Sequence, residues 1–162
     1  MYSSSIRALV AMLAIASLLP SCAMAKEKVL LWPAIQGQIL NDGKPVSGLA
    51  LTQILYWNYE ENSAPPRTIS VSTDEDGRFI FPVVTGEISV GLLTKLLHQP
   101  GISLSINTHF GGRSVNLYAA ANSSYSHANG FEAVDLMVCD LGKLEEFDGR
   151  LIGNCEVRAK QP

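Results

Sequence analysis

The chain has 162 residues, with 12 basic against 15 acidic side chains and a formal net charge of −3. The charges are interspersed, which excludes an acidic tail and argues against nucleic acid or anionic lipid as partner, since both call for a basic face. The length is that of a single domain, large enough to bury a stable core.

The first stretch does not read as part of the fold. Arg7 precedes an uncharged apolar run, Ala8 to Leu19, and Ser21-Cys22-Ala23-Met24-Ala25 then ends in A-x-A before the charged Lys26-Glu27-Lys28. A basic start, a short apolar run and a small-residue cleavage site predict a secretory signal peptide over 1–25, and hence a periplasmic or secreted protein. The run is shorter than the ~20 residues needed to span a bilayer. Leu19-Pro20-Ser21-Cys22 also resembles a lipobox, in which Cys22 is acylated and the product is an outer-membrane lipoprotein. Both readings stay open; only the second attaches the protein to a membrane. Cleavage after Ala25 leaves 137 residues, 26–162, with 11 basic and 15 acidic side chains. Cys139 and Cys155 remain, an even count in an oxidising compartment, and predict a disulfide.

Along the mature chain, Lys28 to Trp32 reads as a short strand stopped by Pro33. Ile35 to Leu40 alternates, with Gly37 at a close approach or bulge. Asp42-Gly43 supplies the positive φ of a tight hairpin before Lys44-Pro45. From Gly48 the next strand runs on into Tyr56, Trp57 and Tyr59, with Leu49, Leu51 and Gln53 on one face and Ala50, Thr52 and Ile54 on the other. Glu60 to Pro66 is a loop, because Pro65-Pro66 cannot donate to a ladder. Thr68 to Thr73 alternates, Asp74 to Gly77 turns, and Arg78 to Phe81 reads as the returning strand of a hairpin, with Phe79 and Phe81 in the core. Glu87 to Gln99 suits a short helix or irregular crossover. Ile102 to Ile106 and Ser114 to Tyr118 form a hairpin around Gly111-Gly112. Ala119 to Gly130 reads as a loop, Val134 to Leu141 as a strand, and Asn154 to Val157 as a terminal strand that the disulfide would tie to it. Many short strands with at most one helix predict an all-β, antiparallel sandwich.

The run Gly37 to Leu51, with G-K-P-V-x-G-L-A-L, and then Thr73-Asp74-Glu75-Asp76-Gly77-Arg78-Phe79-x-Phe81 resembles carboxypeptidase regulatory-like domains, which are transthyretin-like sandwiches. This makes the expected sandwich prealbumin-like or Ig-like and places the regulatory-like core at 37–84 within one domain, 26–162. Such modules serve as accessory and binding domains, so the resemblance is specific for fold and nearly silent on activity. Cys139-Asp140-Leu141 and the later Cys155 are similar to the C-D-L…C pattern of a group of small exported bacterial proteins without an assigned activity. In that group a Trp-bearing strand is expected over Tyr118 to Phe131, where this chain has only Tyr118, Tyr125 and small residues, which puts the pairing of that edge in question.

No complete catalytic motif is present. His98, His109 and His127 lack the His-x-x-Glu of a zinc carboxypeptidase, and none has a second His at metal-binding spacing. Asp74, Asp76 and Gly77 imitate a calcium loop, but its twelfth position is Val83 where a bidentate Glu is required. Ser124, His127 and Asp135 can be drawn as a triad with nothing to orient the imidazole. Asn122-Ser123-Ser124 is a glycosylation sequon. The candidate ligand or partner surface is Tyr56, Trp57 and Tyr59, of which Trp57 and Tyr59 share a face and Tyr56 takes the other; ordinary packing competes with that reading. No metal and no cofactor are expected. The expected function is a non-catalytic exported module that binds a protein or glycan in the cell envelope. An immunity-type inhibitor of an envelope-acting toxin is a sharper form of it. A metal-dependent hydrolase and a small-ligand carrier are the rivals.

Overall fold

The computed structural model describes residues 25–60, 64–90, 99–125 and 135–158. Strands β1 (Ala25–Trp32), β2 (Ile35–Asn41), β3 (Lys44–Pro45) and β4 (Ala50–Trp57) are followed by β5 (Arg67–Ser72), β6 (Arg78–Phe81) and β7 (Val84–Val90). Then come β8 (Ile102–Phe110), β9 (Arg113–Asn122), β10 (Asp135–Asp140) and a 3-10 turn over Leu141–Lys143. Strands β11 (Glu145–Phe147), β12 (Arg150–Ile152) and β13 (Cys155–Arg158) complete the described chain.

The protein is an all-β sandwich. One layer is the five-stranded sheet β13-β10-β2-β3, with β6 also on β2; the other is the six-stranded sheet β11-β12-β9-β8-β4-β5. Period-two alternation sends one face of each strand inward. Leu51, Leu55 and Trp57 of β4 are buried, as are Ile102, Leu104 and Ile106 of β8, and Ile35, Ile39, Phe79, Phe81 and Met137 face them from the other sheet. Three hairpins close on paired left-handed residues, Asp42-Gly43 (φ 51° and 77°), Gly111-Gly112 (φ 58° and 76°) and, between β11 and β12, Asp148-Gly149 (φ 49° and 72°). That geometry matches the twist of the strands it joins.

Pro33 and Pro82 interrupt the β1–β2 and β6–β7 runs at the same level, between the pairs Ile35↔Phe81 and Trp32↔Val84. Neither imide can donate to a ladder. The ladder therefore breaks there and resumes as the separate antiparallel ribbon β1–β7. Its residues Val29, Leu31, Trp32 and Val84 extend the core past the end of the five-stranded sheet. Gly37 is a close approach: a Cβ there would stand 2.4 Å from the Met137 carbonyl and from the Phe79 ring.

Four sequence expectations are corrected. The turn Asp74–Gly77 does not close a hairpin, because β5 pairs with β4 and β6 with β2, so the turn carries the chain from one sheet to the other. Glu87–Val90 is not helical but the end of β7, paired with β1 from Ala25 to Lys28; residues 91–98 lie outside the described residues. Ala119–Asn122 is not loop but the end of β9, paired with Ile102–Ser105, so small residues at that edge did not prevent pairing. The sandwich is not purely antiparallel, since β10 runs parallel to β2 and β12 parallel to β9. Strands that enter a sheet by crossing from the opposite layer are free of the direction a hairpin imposes. The expected leader with Cys22 lies outside the described residues.

Candidate functional site

Three regions have the geometry to be considered, and the first is the aromatic candidate itself. Register splits it: Tyr56 projects from the outer face of the six-stranded sheet and is 56% exposed, whereas Trp57 is 5% exposed. The Trp57 indole N–H donates to the Tyr125 hydroxyl at 3.0 Å, and the Tyr59 ring stacks on it with centroids 5.0 Å apart. Burial raises the Tyr125 phenol above its ordinary value and the Tyr59 ring adds to this, against the lowering effect of the indole hydrogen bond. The Arg67 guanidinium lies 5.4 Å from the indole centroid. Arg67 also holds Glu60 at 2.6 Å and donates to the Thr85 carbonyl at 2.6 Å. The Tyr59 hydroxyl accepts from the Ser89 amide at 2.7 Å. These contacts fasten the β1–β7 ribbon to the end of the six-stranded sheet. Trp57 and Tyr59 are thus a packing cluster beside a hollow of about 620 Å³ lined by Lys28, Glu60, Arg67 and Glu87.

The second region is the outer face of the five-stranded sheet. Leu136, Gln36 and Ile80 form one row across β10, β2 and β6, and Val138, Gln38 and Arg78 form the next. Ile80 is 54% and Leu136 46% exposed. With Val71 and Ser72 of β5 these rows border an open groove of about 760 Å³. Among the described residues no strand pairs the far edge of β6 along this groove. Sequence reasoning passed over Ile80 and Leu136 because each reads as an unremarkable β-former; the signal available was that they alternate out of phase with the core residues Phe79 and Met137.

The third region carries the C-D-L motif. Cys139 and Cys155 are joined by a disulfide at directly opposed positions of β10 and β13, with Cα atoms 4.2 Å apart. Asp140 reaches back to the β2–β3 hairpin: its carboxylate accepts from the amides of Asp42 at 2.8 Å, Gly43 at 3.2 Å and Gly142 at 3.0 Å. Desolvation raises its pKa, but these three amides and Lys143 at 4.0 Å outweigh that and hold the carboxyl below the ordinary aspartate range. Leu141 is buried. Each letter of the motif therefore has a structural duty.

The remaining chemical candidates do not assemble. Asp74 accepts from the amides of Asp76 at 3.0 Å and Arg78 at 2.7 Å, which is turn chemistry. Ser124 donates to the Asn122 side chain, Asp135 opens β10, and His127 lies outside the described residues, as does His98. His109 lies near the end of β8, where it pairs with Ser114. Among the described residues no group of three or more His, Cys, Asp or Glu is placed to hold a metal ion. No helix among them is long and apolar enough to cross a membrane.

A family model described as a domain of unknown function (DUF6795) matches residues 35–143. The chain belongs to that family. The matched segment begins at β2 and ends at the 3-10 turn, so it contains the hairpins at Asp42-Gly43 and Gly111-Gly112, Trp57 and Cys139-Asp140-Leu141, while β1, β11 to β13 and Cys155 lie outside it. No curated protein and no solved structure matches the chain.

Proposed function

We propose that this member of the family is an exported, non-catalytic binding module whose partner is a protein of the cell envelope. The observation that carries the reading is the row Leu136–Gln36–Ile80, two half-exposed aliphatic side chains flanking an amide on an open groove beside a strand edge that no other strand pairs among the described residues. Exposed aliphatics rimmed by polar groups are the surface chemistry of protein association. Arg78 already spends its amide and carbonyl on Asp74, so an extended segment of a partner would bond to this edge only past that turn, towards Ile80. Export is supported by the leader-like sequence 1–25 and by the disulfide, which belongs in an oxidising compartment. The likeness of Gly37–Leu51 and Thr73–Phe81 to regulatory-like accessory modules supports a binding role over a catalytic one.

Affinity capture from an envelope extract of the source organism tests this. Wild type is expected to retain one protein in stoichiometric amount, and Ile80→Asp or Leu136→Asp to release it with an unchanged melting temperature. If wild type captures nothing, or the two variants capture as wild type does, the groove is not the docking site.

A further inference from the structure

The opposite outer face, on the six-stranded sheet, has a different chemistry. Across β5, β4, β8 and β9 the register aligns Ser70, Thr52, Asn107 and Asn116 in one row. The next row is Thr68, Ile54, Ser105 and Ala119, and the third is Tyr56, Ser103 and Ala121. No Asp, Glu, Lys or Arg stands on this face of the four strands: Arg67 faces inward at the level of Leu55, and Arg113 pairs with Glu146 at the end of β9. Charge returns only beyond β9, where the first row runs on through Ile152 to Glu145 and Arg150 stands on the same side of β12. Charged residues make up 17% of the chain, and solvent-facing strand positions are where they ordinarily collect, so their omission here is selective. The side chains are already tied into a plane. Thr52 and Ser70 share a hydrogen bond at 3.4 Å, Asn116 donates to Asn107 at 2.9 Å, and Asn107 donates to Ser105 at 3.1 Å. At one end of this plane Tyr56 stands exposed over a hollow of about 330 Å³, lined also by Asn58, Pro65, Pro66, Gly101 and Ser103. Glu60, which also borders that hollow, is engaged by Arg67.

We propose that this face binds a neutral glycan, with Tyr56 as the platform for one sugar ring. Hydroxyl and carboxamide groups both donate and accept, as sugar hydroxyls do, so a hydroxyl-and-amide plane matches a polysaccharide along its length. An uncharged polymer is the ligand such a face accepts without leaving a charge unpaired. A tyrosine ring open on one side offers the C–H face of a pyranose an apolar contact while its hydroxyl stays wet. The rim is pre-ordered, since the Asn58 amide is fixed between the Gln99 carbonyl at 3.1 Å and the Gly101 amide at 2.8 Å. This site is independent of the aliphatic groove, which lies on the other sheet.

Depletion of the purified mature protein by insoluble chitin and by insoluble cellulose tests it, at low salt and at high salt. Retention on one of these polymers is expected, unchanged by salt because no ion pair is involved. Tyr56→Ala is expected to weaken it by roughly tenfold, the scale of one lost aromatic contact, and Ser103→Glu by roughly a hundredfold, the scale of a charge left unpaired under the bound polymer. Ile80→Asp should bind the polymer as wild type does. Retention by neither polymer, retention abolished by salt, or equal retention by both face variants overturns the proposal. So does a dimer in sedimentation velocity that Ser103→Glu dissociates, which would make the face an interface between copies. Should Tyr56→Ala lower the melting temperature, Ser103→Glu and Ser70→Glu read the same face from positions that carry no packing.

Discussion

Gln53 is the side chain least suited to its surroundings. It points into the core from β4 between Ile69 and Ile106, is 1% exposed, and neither its amide nitrogen nor its oxygen has a hydrogen-bond partner among the described residues. A buried amide left unpaired costs about 1–3 kcal/mol. Gln53→Met keeps the side-chain length and removes that penalty, so a stabilisation of about 1–3 kcal/mol is expected in urea unfolding; a loss of stability would mean the amide is satisfied. Asp140 is the opposite case, a polar group with more partners than one residue usually gathers. Because its carboxyl titrates below the ordinary range when folded, its stabilising effect is complete above the unfolded-state value. It is then lost as the pH falls below about 4 and through the folded-state value. Asp140→Asn should therefore melt earlier than wild type near neutrality, and the gap between the two should narrow in acid. A gap that stays constant with pH would remove the carboxylate from the account.

At the scale of elements, two joints fasten the strands, one tying the β1–β7 ribbon to β4 and one linking neighbouring strands of the five-stranded sheet. The first is the seat of Trp57 against β7, where Gly86 leaves room for the ring: a Cβ at that position would lie 2.5 Å from the indole. Gly86→Ala must displace the ring or the ribbon, with an expected loss of about 1–3 kcal/mol and a changed near-ultraviolet dichroism from the indole. Unaltered dichroism would show that the ribbon yields freely. The second joint is the disulfide. Between Cys139 and Cys155 the chain leaves the five-stranded sheet, adds β11 and β12 to the six-stranded one, and returns as β13. Closing a loop of 16 residues contributes about 3 kcal/mol in the chain-entropy model. The double variant Cys139→Ala/Cys155→Ala should lose about that much in a denaturant titration, and unchanged stability would place the burden on strand pairing alone.

At the scale of the molecule, the sandwich presents two outer faces of unlike chemistry, one aliphatic beside the edge of β6 and one hydroxyl-rich and uncharged across β5, β4, β8 and β9. Ile80 and Tyr56 lie on different sheets and share no partner, so the stability effects of Ile80→Asp and Tyr56→Ala should add within about 0.5 kcal/mol. Non-additivity beyond that would mean the faces communicate through the core.

The alternating strands, the hairpins at Asp42-Gly43 and Gly111-Gly112, the burial of Phe79 and Phe81, and the cysteine pairing were all legible in the sequence, whereas the hairpin at Asp148-Gly149 was passed over as loop. Each depends on local chemistry: side-chain period, positive φ, or an even thiol count. The Asp74–Gly77 turn shows where that stops. Its residues specify a change of direction, but whether the chain returns beside itself or crosses to the other layer depends on which sheet has a free edge for β6. The parallel pairings of β10 and β12 are of the same kind, since direction is imposed by the path through the opposite sheet and leaves no mark in a strand of six or three residues. The candidate aromatics were legible as a group, and period two already separated Tyr56 from Trp57. Only the packing of Gly86, Tyr59 and Tyr125 decided which side was core. The two outer faces were invisible one strand at a time, because a surface is assembled across strands from residues far apart in the chain, and register alone brings Leu136 beside Gln36 and Thr52 beside Asn107.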